Sequence, residues 1–440
     1  MDGAGRERSR LLGSHAGRPL VAAVLGAYFL TLAALGGREA WDELGVPYLT
    51  PSFADMRSVT SAWECDRQGI AVLPTNPCDP YGARPANYPT IWLWPSGLGL
   101  GQGATVPLGV LTAAAFLGSF LVLIGRSAVR DGPLYAAAAI SPAVMLGVER
   151  ANVDLLLFAM LVTALAIFRR SRLGRGAGYS LLLLAAVLKL FPVFAWGVLL
   201  RQSRRLVLWS GLLMVALFAV YVVATFDTIQ TIEQVVWQVI PVSYGADVGV
   251  DSVQSFSADK GSLDWLEGMG DWLTGVCVLA GAAAIGLISW RRRALGVSLS
   301  RRAEGRELHF DAFVAGAGIY VASFALWHNW DYRLIFLLLA LPQLIAWARI
   351  SPSPVPAPRL TLAALFGTLW LSEPLTANVG FWVAPFDFLT LESLNLSLDE
   401  VCNWFLFVAL GTGLAVATLP SLTDLLRGLR TRRPEGEAIA

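Results

Sequence analysis

The chain has 440 residues, 55% hydrophobic and 15% charged, with a formal net charge of +1 and a mean hydropathy of +0.59. Charge this sparse cannot coat a soluble domain of this length. Soluble enzymes and nucleic-acid-binding proteins are thereby excluded, and a polytopic, all-α membrane protein is implied.

The first apolar run, 19–36, is long enough to cross a membrane and is followed by no A-x-A cleavage site, so an uncleaved helix is expected. Further spans are expected at 105–125, 133–148 and 152–168. A short pair follows at 176–188 and 191–200, each below the roughly 20 residues needed to cross. Basic residues flank the pair, with Lys189 and Pro192 at the join, so two short or re-entrant helices that turn back inside the protein are expected. Spans at 206–225, 272–290, 311–327, 334–348, 360–378 and 401–419 complete about twelve transmembrane or re-entrant helices.

Arginine separates the loops into two classes. Arg6, Arg8, Arg10 and Arg18 precede the first span, Arg169 to Arg175 and Arg201 to Arg205 fill two loops, and Arg291 to Arg306 another. The positive-inside rule makes these cytoplasmic, with both termini inside a plasma-type membrane. The expected organisation is a cytoplasmic tail 1–18, a transmembrane domain 19–420 and a cytoplasmic tail 421–440. The long loops 37–104 and 226–271 face outward, and loops of this length usually carry function.

The first outer loop carries PSFADMRSVTSAWECDRQG from Pro51 to Gly69. Ser52 suits an N-cap, Gly69 a helix stop, and Phe53, Met56, Val59 or Thr60, and Trp63 recur at helical spacing. An amphipathic helix on the outer membrane face is expected, with Asp55 and Arg57 in its first turns. Asp55 is either a functional carboxylate or an acid placed to suit the helix dipole. Cys65 and Cys78 share this loop, and the oxidising compartment predicts a disulfide between them.

Three further clusters stand out. Glu149, Arg150, Asn152 and Asp154 lie at an outer turn, as a functional site or as an Arg150–Asp154 structural pair. His328, Asp331 and Arg333 lie in WHNWDYR, as a proton and phosphate site or as an aromatic belt with one ion pair. Lys189 between two apolar half-helices needs an anion or water. Arg150, Lys189 and Arg333 are expected to converge on one outward-facing phosphate. No P-loop, HExxH motif or CxxC pair occurs, and neither a metal nor a cofactor is expected.

At these residues the chain resembles the glycosyltransferase 87 family. The matching segments are E-R-x-N-x-D (Glu149 to Asp154), K-L-F-P (Lys189 to Pro192), N-W-D-Y-R-L-I-F (Asn329 to Phe336), the F-x-D-x-R of the first outer loop, and N-Y-P (Asn87, Tyr88, Pro89). The resemblance spans roughly residues 20–420. It implies a GT-C-like membrane bundle with a helical first periplasmic loop, and an inverting hexosyltransferase, of mannose in the characterised type. The implied donor is a sugar on a polyprenyl phosphate and the acceptor a glycolipid or glycan hydroxyl. Asp55 matches the family's aspartate base, with His328 as helper, and Arg57, Asn87, Tyr88, Glu149, Asn152, Asp154 and Asp331 are expected to bind substrate. The insert Cys65 to Pro89 is longer than the minimal mannosyl-enzyme pattern. The competing readings are a lipid or glycolipid flippase and an envelope-assembly scaffold.

Overall fold

A computed structural model describes residues 15–36, 39–235, 243–248, 270–294, 307–326, 328–350, 353–372 and 391–430. Most of the second long loop, 226–271, and of the expected tail 1–18, and half of the expected tail 421–440, lie outside them. In chain order the α-helices are α1 (Gly17–Ala34), α2 (Ala40–Glu43), α3 (Ala54–Arg67), α4 (Thr105–Ile124), α5 (Gly132–Ala139), α6 (Pro142–Arg150), α7 (Val153–Ile167) and α8 (Arg172–Leu188). Then come α9 (Arg204–Ala224), α10 (Phe226–Val235), α11 (Gly270–Ala294), α12 (Glu307–Leu326), α13 (Leu337–Trp347), α14 (Pro358–Leu371) and α15 (Leu391–Arg430). Three longer 3₁₀ segments, Thr90–Leu98, Phe191–Arg201 and Asp331–Phe336, interrupt the series. The described strands are β1 (Ser243–Tyr244) and β2 (Asn329–Trp330), paired antiparallel.

This is an all-α, multi-pass membrane protein. Six helices among the described residues have the length and apolarity to cross a membrane, and α5 with α6, bent by 55°, makes a seventh if counted as one span. Their burial shows which face lipid. On α9, Trp209, Leu212, Leu213, Val220 and Val223 are exposed, and that span is 6% buried. An apolar surface of this extent is stable only against hydrocarbon. The span on α12 is instead 72% buried and forms the centre. Gly316 and Gly318 let it approach the 3₁₀ segments, because a Cβ there would meet the Phe336 carbonyl at 2.6 Å and the Phe194 carbonyl at 2.5 Å.

Each of the twelve expected stretches is helical over most of its described residues, but not all have the length of a span. The stretch at 133–148 breaks at Ser141, since Pro142 disfavours helical backbone at the residue before it and Ser141 is extended. The stretches at 152–168 and 334–348 hold α-helices of 15 and 11 residues, and that at 360–378 meets a 14-residue helix ending at Leu371, with 373–378 outside the described residues. The last expected span, 401–419, lies within a 40-residue helix.

The short pair turns back as a hairpin. α8 begins four residues earlier than expected, and both feet meet one acid on α12. Arg169 Nε donates to Asp311 Oδ2 at 3.0 Å, and Arg201 Nε donates to Asp311 Oδ1. At a rise of about 2.0 Å per residue, the eleven 3₁₀ residues of the return leg cover roughly 22 Å, the length of the 15-residue α7 beside them. The tip of the hairpin, Lys189, therefore lies level with Asp154 at the start of α7. These two levels, the Asp311 end and the Asp154 end, bracket the apolar core. Asp131 and Arg349 add an ion pair between two more of the chain's polar turns.

The amphipathic helix expected at 51–69 becomes α3, with two differences. Its N-cap is Phe53, in the left-handed conformation and without a side-chain cap, so Ser52 stands one residue too early. Nor does it lie open on a surface, for Met56 and Ser58 to Trp63 are all buried. The chain after it folds back over it. Cys65 and Cys78 are joined by a disulfide with Cα atoms 5.8 Å apart, Asn76 Nδ2 donates to Ser61 Oγ at 2.9 Å, and Trp63 Nε1 donates to the Trp92 carbonyl.

Candidate functional site

Four chain segments meet at the Asp154 end: α3, the turn between α6 and α7, the hairpin tip and the 3₁₀ turn after β2. Asn152 organises the meeting. It is the N-cap of α7, its Oδ1 accepting from the Asp154 amide at 2.9 Å, which frees its Nδ2 to donate to Asp55 Oδ2 at 2.6 Å. The cap of one helix thereby fixes the carboxylate of another. Asp154, in the first turn of α7, is fully buried and holds two cations. Lys189 Nζ stands 2.6 Å from its Oδ1 and Arg333 Nε 3.6 Å from its Oδ2. Their side chains are 15% and 14% exposed, so the pair of cations looks out on a narrow opening.

Aromatic rings wall the cations. Lys189 Nζ lies 5.5 Å from the Tyr88 ring centre, 5.7 Å from Phe191 and 5.8 Å from Tyr332, and the Arg333 guanidinium lies 4.3 Å over Phe191. Trp92 Nε1 donates to the Leu188 carbonyl at 2.9 Å, which ties the loop after α3 to the hairpin tip. Burial, helped by the Asp55 charge, pushes the Tyr88 phenol well above its ordinary value and keeps it a neutral donor. A small cavity of about 20 Å³ lies beside Tyr88, lined by Ser58, Val59, Ala62, Leu73, Trp92 and Leu93 among others. Asp55 lies one turn before Ser58 and Val59 on α3 and is not itself among the lining residues.

Arg150 departs from its expected place. Its Nε pairs with Glu149 Oε2 at 3.2 Å and its Nη2 donates to the Pro47 carbonyl at 3.4 Å. Glu149 Oε1 in turn accepts from the Leu49 amide at 3.0 Å. α6 ends at Arg150, and the left-handed turn at Ala151 sends Asn152 and Asp154 inward while Glu149 and Arg150 grip the 47–49 segment. The three expected cations therefore divide, with Lys189 and Arg333 together on Asp154 and Arg150 on Glu149. The alternative Arg150–Asp154 pair does not form.

His328 also lies elsewhere. Its Nδ1 is 3.5 Å from Asp247 Oδ2, and no hydrogen bond or ion pair joins it to Asp55. β2 directs this: Asn329 pairs with Tyr244, which puts His328 beside the short turn that follows β1. Asn87 is exposed, Asp331 is buried at the head of its 3₁₀ turn, and Arg57 makes one long bond, from Nη2 to the Ser52 carbonyl at 3.4 Å.

Several contributors were not singled out from the sequence. Arg84 binds Asp79 through Nε and Nη2 at 3.2 and 3.1 Å and donates to the Ala54 carbonyl at 2.8 Å, pinning the first residue of α3. Asn403 inside α15 accepts from Tyr320 at 2.8 Å and Thr368 at 2.9 Å and donates to Asp399 at 3.0 Å. Acids within an apolar run are a readable signal of this kind, and Asp311, Asp399 and Glu400 all carry it. Among the described residues no group of three or more His, Cys, Asp or Glu side chains is placed to hold a metal ion. No protein-family model, curated protein or solved structure matches the chain.

Proposed function

We propose that the protein is a GT-C-type membrane glycosyltransferase of the glycosyltransferase 87 kind, with about twelve spanning or re-entrant helices. It moves a hexose, mannose in the first instance, from a polyprenyl-phosphate donor to a hydroxyl acceptor on the outer face of the membrane. The observation that carries the reading is Asp55, a carboxylate oriented by Asn152 beside two partly exposed cations that share one acid.

Each part has a chemical role in a single displacement. The acceptor hydroxyl oxygen attacks the anomeric carbon while Asp55 takes its proton. The bond from that carbon to the phosphate oxygen breaks, and its electron pair leaves with the lipid phosphate. Lys189 and Arg333 stabilise the charge that grows there, and Arg333 Nε is buried with no hydrogen-bond partner of its own. One carboxylate at the reacting carbon suits inversion.

The test is transfer of labelled mannose from polyprenyl phosphate by the purified protein in lipid nanodiscs. Asp55→Asn keeps an oxygen for Asn152 and is expected to fold normally yet lose about 10²–10⁴-fold in rate. Full activity in that variant moves the base elsewhere. A flippase is the second reading, favoured by a second broken element, the 55° bend between α5 and α6, beside the hairpin. Movement of the lipid without sugar transfer would support it.

A further inference from the structure

Arg57 is the cation near Asp55 that lacks an acid. Arg84 has Asp79, Arg150 has Glu149, and Lys189 and Arg333 share Asp154. Arg57 has only the 3.4 Å bond to the Ser52 carbonyl, and its Nε is buried with no partner. Arg150 Nη1 is likewise buried with no partner. Arg57 Nη2 and Arg150 Nη2 hold the Ser52 and Pro47 carbonyls of the same segment whose Pro51 carbonyl accepts from the Tyr81 hydroxyl, and Arg84 stacks 4.5 Å over the Tyr81 ring. Arg84 is saturated by Asp79 and the Ala54 carbonyl and serves as wall. Arg57 and Arg150 are left with unfilled donors on that side.

A guanidinium whose buried N–H groups have no acceptor is costly unless an anion completes it. The position says which anion. Arg57 follows Asp55 by two residues, about 200° around α3, so the two leave its first turn on opposite flanks. Asp55 reaches Asn152 and the Lys189 side, while Arg57 stands on the Tyr81 side. The backbone N–H groups at this helix start receive no side-chain cap, which adds positive potential to the same flank.

We propose that Arg57 and Arg150 bind an oxyanion, a phosphate or a carboxylate, that the acceptor carries near its reacting hydroxyl. The inference rests on the transferase reading, in which Lys189 and Arg333 hold the donor phosphate. An acceptor lying across the start of α3 then presents its hydroxyl to Asp55 and its charge to the arginines.

The experiment needs no donor sugar. Octyl β-glucoside, octyl β-glucuronide and octyl phosphate, below micellar concentration, are titrated against nanodisc-held protein with tryptophan fluorescence as readout. The glucuronide and the phosphate separate the two sources of anion. Expected is tighter binding of at least one charged probe over the glucoside by about tenfold, the effect of one charge-assisted hydrogen bond. Arg57→Gln should abolish the preference and Arg57→Lys restore part of it. If Arg57→Gln does not fold, Arg150→Gln decides by the same criterion. Citronellyl phosphate, a short isoprenyl phosphate directed at Lys189 and Arg333, should leave the preference intact. Equal binding of charged and neutral probes would overturn the proposal. So would a preference that survives both glutamine variants, or one that citronellyl phosphate removes. A failed sugar-transfer assay with the preference intact would count against the transferase reading alone.

Discussion

Asp154 is shared by two cations, so removing it should cost more than removing either cation. At an effective dielectric constant near 20, the 2.6 Å contact with Lys189 corresponds to roughly 6 kcal/mol of gross attraction and the 3.6 Å contact with Arg333 to roughly 5 kcal/mol. Desolvation of three nearly buried charges offsets most of this. What remains decisive is what each deletion leaves behind. Asp154→Asn leaves two cations about 15% exposed and uncompensated, and an unpaired buried charge costs about 3–5 kcal/mol. Lys189→Met leaves Asp154 with Arg333 and should cost about 1–2 kcal/mol, an ordinary point-mutation loss. Combining the two should cost less than their sum, because the double variant carries one unpaired cation rather than two. Unfolding free energies from denaturant titration in mixed micelles, followed by circular dichroism, give the comparison. An Asp154→Asn protein as stable as the parent, or a larger loss from Lys189→Met, would refute the shared-acid account.

Opening the disulfide by Cys65→Ser should weaken the fold of the 68–89 loop over α3 by about 3 kcal/mol. Limited proteolysis should then cut that loop first, and unchanged resistance would show that packing alone holds it. The arginine pattern predicts that a cysteine placed at Thr75 reacts with impermeant maleimide from outside and one in 291–306 only from inside. The reverse labelling would place Asp55 on the wrong side for the proposed chemistry.

The bundle could be read in the sequence wherever hydrophobicity was long and unbroken. The spans from α1, α4, α9 and α11 lie close to where their apolar runs put them, because lipid exposure on most sides demands exactly that composition. The inner helices were harder. α6, α7 and α13 are sheltered by protein, so they need not reach 20 residues, and a single Pro142 suffices to split one expected span in two. For the site, no sequence pattern says that Asn152 caps its own helix and at the same time reaches across 97 residues to Asp55. Charge type and membrane level put Arg150 and His328 at the expected site, but neither fixes which neighbour each one meets. A left-handed turn at Ala151 and a two-residue strand pairing, both tertiary in origin, send them to Glu149 and Asp247 instead.

The clamp on the hairpin has a consequence for how the protein is made. Arg169 and Arg201 both wait for Asp311, which is synthesised 142 and 110 residues after them. Until it emerges, the hairpin has two cationic feet without the acid that joins them. Asp311→Asn should therefore act on biogenesis. The yield of inserted protein is expected to fall and turnover of nascent chains by membrane proteases to rise, while each molecule that completes folding retains its tip geometry at Lys189. Equal yields from pulse-labelled wild-type and variant chains would mean that the feet are secured before the acid arrives.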